Sequence, residues 1–152
     1  MNQRIALSDV ATRLRGTLGH QLGVAHIGTA LDVDFVKAVA DSTKWPAVWI
    51  GGQRSTPKDD GRGFTGRFRQ VVQVEFSARV VVQRYIAGDV VAEERLNRIC
   101  DAVADALMGW RPTGAANPAV WVQSIDGPPD QSLMFVDLIF SADVIYTRSV
   151  QE

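Results

Sequence analysis

The sequence predicts an α+β fold: a mainly antiparallel sheet with two long strands, and helices packed on one face. Three observations predict it. Residues 67–85 and 132–148 alternate apolar and polar side chains with period two, as strands with one buried face do. Residues 91–108 carry a single apolar stripe at helical spacing. The elements run α-α-β-β-α-β-β, so hairpins are joined by a helix, which favours an antiparallel sheet over a βαβ repeat.

The first helix is expected from about Asp9 to Leu22. Leu7, Val10, Leu14, Leu18 and Leu22 recur on one side, and Ser8 or Asp9 is placed to cap the free N–H groups of the first turn. Gly16 and Gly19 weaken it by roughly 1 kcal/mol each relative to Ala, and would allow close packing against the sheet. Gly23 and Gly28 break the pattern. Asp32 is a cap for a short second helix with Phe35, Val36 and Val39 inward. That helix must stop before Pro46, which disfavours helical geometry at Trp45. Pro46 to Ile50 reads as a short strand, bounded by Pro and by Gly51-Gly52.

Residues 51–66 hold five glycines, Pro57 and a mixture of charges, and read as a flexible loop. The strand Arg67–Tyr85 follows. Val72, Val74, Phe76, Ala78, Val80 and Val82 form its apolar row, and Arg69, Gln73, Glu75, Ser77, Arg79 and Gln83 lie opposite. At this length it would span roughly 60 Å, so a bend, a bulge near Ser77-Ala78, or projection past the domain is expected. Ala87-Gly88-Asp89 is a turn. The helix Val91–Met108 buries Ala92, Leu96, Ile99, Val103 and Leu107, with Glu93 and Glu94 at its positive end and Gly109 at its C-cap. Trp110–Pro118 is a turn-rich connection and Ala119–Ile125 a third strand. Asp126–Asp130 makes a turn into the final strand Ser132–Arg148, whose inward row is Met134, Val136, Leu138, Phe140, Ala142, Val144 and Tyr146.

The chain has 152 residues, enough for one domain with a real core over residues 1–152. Its net charge of −1 lacks the basic excess of a dedicated nucleic-acid binder. The N-terminus has no apolar stretch long enough for a signal peptide, and nothing approaches a membrane span. Cys100 is the single cysteine, which rules out an intrachain disulfide; it falls on the apolar side of its helix and reads as a core residue. His20 and His26 are six residues apart, a spacing that matches no common zinc pattern. Residues 61–66 have the spacing G-x-G-x-x-G, but a strand follows where a dinucleotide site needs a helix. No catalytic residue, metal site or cofactor site is assigned. Trp45, Trp49, Trp110 and Trp121 are read chiefly as core fillers, with Trp49 and Trp121 on short strands that could form interfaces.

Pro46-Ala47-Val48-Trp49, then a Gly-rich loop, then a long alternating strand, resembles the small tail terminator (tail completion) proteins of long-tailed bacteriophages and prophages. So do Leu107-Met108-Gly109-Trp110-Arg111-Pro112 and a final strand ending near Tyr146. The resemblance covers most of the chain. It implies a non-enzymatic structural subunit without cofactor, in a hexameric ring that caps the tail tube, halts its polymerisation and offers a surface to the head–tail connector. It implies a place in the virion tail, after assembly in the bacterial cytoplasm, with no membrane or specific nucleic-acid partner. Arg54, Lys58, Arg62 and Arg67 are the expected subunit or tube contacts. The alternatives are a neck or head-completion protein, a small-ligand or enzymatic α+β domain, and a nucleic-acid-binding accessory protein supported only by the basic loop.

Overall fold

The computed structural model describes residues 4–18, 22–29, 46–58, 67–83, 90–127 and 133–149. The described elements are helix α1 (Leu7–Leu18), strands β1 (His26–Thr29), β2 (Ala47–Pro57) and β3 (Arg67–Gln83), helix α2 (Val90–Leu107), and strands β4 (Val120–Asp126) and β5 (Leu133–Ser149). The strands form one sheet in the order β1-β2-β3-β5-β4. Every pairing is antiparallel except β1 with β2. The fold is the expected α+β one.

The two long strands are the spine. β3 and β5 pair over their whole length, from Arg67 opposite Ser149 to Gln83 opposite Leu133. Each is 17 residues, roughly 55 Å of ribbon. The expected bulge near Ser77-Ala78 is absent, because those residues pair in register with Ile139 and Leu138. The irregularities lie in the outer strands instead, between Gly51 and Arg54 in β2 and between Trp121 and Gln123 in β4. Gly52 occupies the left-handed region at φ 67°, the conformation a bulge of this kind needs and a side chain resists.

The inward rows coincide with expectation. Val74, Phe76, Val80, Leu138 and Phe140 are all buried. Phe76 sits directly across from Phe140, with ring centroids 5.8 Å apart. α1 contributes Leu7, Val10, Ala11, Leu14 and Leu18 to the same core, and α2 contributes Ala92, Leu96, Ile99, Val103, Ala106 and Leu107. The helices also touch each other. Arg13 reaches across from α1 and donates to the Ala106 carbonyl of α2 at 3.1 Å. At the C-terminal end of α2, Gly109 takes φ 79° as the cap requires, and its N–H donates to the Ala119 carbonyl.

Several local expectations are corrected. β2 does not stop at Gly51-Gly52: residues 51–57 continue it along β3, because the bulge absorbs Gly52 without ending the ladder. The loop is therefore not 51–66, and residues 59–66 lie outside the described residues. β1 occupies a stretch where Gly23 and Gly28 suggested a break; Gly28 is tolerated because His26 and Trp49 fill the space a Cβ would take. Asp9 does not cap α1. Its carboxylate accepts from the Thr113 N–H at 3.0 Å and hydroxyl at 2.6 Å, tying the helix to the segment before β4. Gly16 faces open space and permits no close packing. The expected second helix at Asp32, Trp45 before Pro46 and the turn 87–89 lie outside the described residues.

Candidate functional site

The sheet has two contrasting margins. At one, β4 is exposed along its whole length on both of its faces. Val120, Trp121, Val122 and Ile125 are each about half exposed there, and Met108 at the end of α2 joins them. An edge strand offers unpaired backbone groups as a template for another chain, and proteins usually blunt such edges with charge or Pro. This edge is blunted only by its bulge and by the terminal Asp126. Between β4 and α2 runs an open groove of about 680 Å³. Cys100, Met108, Trp121 and Leu138 give it apolar walls, and Asp101, Asp105 and Asp126 give it an acidic rim.

At the other margin, β1 covers β2 only as far as the Thr29–Ile50 pair. Among the described residues, 51–57 have no outer neighbour. This end is basic. Arg54, Lys58 and Arg69 are exposed. Lys58 donates to Asp143 at 2.9 Å, and Asn117 donates to the same oxygen, so that lysine is anchored while half its side chain faces solvent. Of the expected contact residues, Arg54 and Lys58 share this end of β2. Arg67 opens β3 and pairs through its backbone with Ser149, and Arg62 lies outside the described residues.

The sheet face turned away from the helices holds a polar arrangement that sequence reading missed. Arg79 makes a two-pronged ion pair with Asp137, at 2.7 and 2.8 Å, and its guanidinium lies 4.4 Å from the centre of the Phe135 ring. Arg79 and Asp137 are direct cross-strand partners. The signal was present as opposite charges on the two long strands, but only the register reveals it. On the same face the His26 ring packs tilted against Trp49, with centroids 4.6 Å apart, and the Trp49 indole N–H is buried and finds no acceptor among the described residues. Trp110 packs against the core beneath Arg13, and Trp121 is exposed. Of the described tryptophans, Trp110 joins the core, Trp49 is half-buried on the opposite face and Trp121 lies at the surface.

The Cys100 thiol is pushed up to about 12, first by burial and then by Asp101 and Asp126, so it stays protonated and unreactive at neutral pH. Among the described residues no three His, Cys, Asp or Glu side chains are grouped to hold a metal. No described helix is long and apolar enough to cross a membrane.

The family model for the phage tail terminator protein matches residues 1–151. The chain belongs to the phage tail terminator family. Its fold is shared with a chain from a solved structure described as the virion of a native gene transfer agent particle. That match has a TM-score of 0.60 and 19% identity, covering 93% of this chain and 96% of the other. No curated protein matches by sequence. The terminator family is one of structural phage proteins, which agrees with a molecule whose most distinctive surface is an exposed strand edge.

Proposed function

We propose that this terminator subunit assembles into a hexameric ring that caps the finished tail tube, stops its polymerisation and presents a surface to the head–tail connector. The match of the terminator family over residues 1–151 carries this reading. The exposed apolar strand β4 supports it, since a subunit that works alone rarely leaves an entire edge strand uncovered. The protein acts by stoichiometric binding and not by turnover, uses no cofactor, and belongs to the virion tail after assembly in the host cytoplasm. Arg54, Lys58, Arg62 and Arg67 serve subunit or tube contacts, where charge steers docking and register more than it adds affinity.

The test is functional. Purified protein added to polymerising tail-tube protein should halt elongation at one ring per capped end, in proportion to the amount added. A neck or head-completion protein would bind finished particles and leave tube growth unaffected.

A further inference from the structure

The two margins of the sheet differ in every property that a head-to-tail contact uses. A ring of identical subunits needs two unlike, complementary patches on each copy, because the rotation brings one side of a subunit against the opposite side of its neighbour. One margin is apolar and acidic: the α2–β4 groove, with Met108 and Trp121 in its wall and Asp101, Asp105 and Asp126 at its rim. The other carries more base than acid: the length of β2 past Ile50, without an outer strand among the described residues, holds Arg54 and Lys58 next to Glu75 and Asp143, with Arg69 further along β3. They lie at opposite edges of one sheet.

They also lie on opposite faces. The groove is on the helix side, since its wall includes Leu138 and Val136 from the inward row of β5. Arg54 is on the other side. It pairs with Glu75, which shares the alternate row with Arg79 and with Arg69. Lys58 belongs to that side as well, because its ammonium reaches Asp143, which pairs with Gln73 of the same row. A basic edge on the lower face of one copy and an acidic groove on the upper face of the next overlap like tiles. The groove margin is not complementary to itself, because a two-fold dimer through it would set its acidic rim against the same rim.

We infer that the α2–β4 groove receives the end of β2 from a second copy of this chain, with Arg54 and Arg69 facing the acidic rim of Asp101, Asp105 and Asp126, and with Trp121 and Met108 covered by the incoming strand. The inference rests on the ring reading above and specifies its interface. Lys58 is already held by Asp143 and contributes mainly by stiffening the end of the strand that inserts.

The test is charge reversal read by solution mass. Asp101→Arg with Asp105→Arg, and separately Arg54→Glu with Arg69→Glu, should each drop the assembled species to single subunits while circular dichroism stays unchanged. All four substitutions in one chain should restore the assembled mass, because attraction is regained with the signs exchanged. Trp121→Ala should weaken assembly at least tenfold in the concentration at which rings form. If either reversal leaves the assembled mass intact, or if the four-fold variant folds and stays monomeric, this interface is wrong. Tube capping separates that failure from a failure of the functional reading. A wild-type protein that forms rings and caps tubes, with reversed variants that do so equally well, overturns the interface alone. A wild-type protein that neither assembles nor caps overturns both.

Discussion

At the residue scale, the core rests on a few large side chains and the surface on a few charges. Phe76 is fully buried against Phe140, so Phe76→Ala should cost about 3–5 kcal/mol in denaturant titration; a loss under about 1 kcal/mol would contradict its place in the core. Gly127 is fixed by a different constraint. A Cβ there would meet the Phe135 ring at 2.3 Å, and that ring in turn lies over Arg79. Gly127→Ala should therefore displace Phe135 and destabilise by about 1–3 kcal/mol, measured the same way. Cys100 gives a pH test. Its folded value is raised to about 12 from the ordinary 9.0, so the proton is held more tightly in the native state. Its contribution to stability is full below pH 9 and is lost as pH rises towards 12. Alkylation of the native protein at pH 8 should be at least tenfold slower than in denaturant; equal rates would show an accessible, ordinary thiol. The inward residues were legible in the sequence because alternation alone assigns a face. The Arg79–Asp137 pair was not, because either residue could have met several partners until the register was known.

At the scale of elements, the long strands and α2 were legible for a plain physical reason. Their patterns run for 17 or 18 residues, so chance agreement with the period is small. Short or glycine-bearing elements were misread. β1 has only four residues, one of them glycine, and its partner is a parallel strand distant in sequence. Residues 51–57 looked like loop because Gly51-Gly52 is a strong breaker signal, yet a glycine at positive φ can serve a bulge inside a strand as well as end one. Amides of 47–50 lie between β1 and β3 and should exchange slowly in the isolated subunit, whereas those of 52–57 that point away from β3 should exchange fast and slow down on assembly. Equal protection of both halves in the isolated subunit would contradict an open edge at 51–57.

At the scale of the whole molecule, the organisation is one sheet with a sealed side and two unlike margins. The helices close the core on one face, and among the described residues no strand covers the outer side of β4 or of residues 51–57 of β2. The interface residues were only half legible. Arg54 and Lys58 stood out as charges in a glycine-rich stretch, but the α2–β4 groove draws on residues 97–138, and no local pattern announces a gap between two packed elements. Trp121 shows the limit most clearly, since an apolar strand reads the same whether it is buried by its own chain or by another. The proposed role of this chain is to end a tail tube by binding to it. Tube lengths measured by electron microscopy, in polymerising tail-tube protein with and without added subunit, test it most directly. The expected result is a length distribution that shortens as the subunit-to-tube-protein ratio rises, with a single ring at each capped end. Tubes that grow to the same lengths at every ratio, with no ring at their ends, would contradict it.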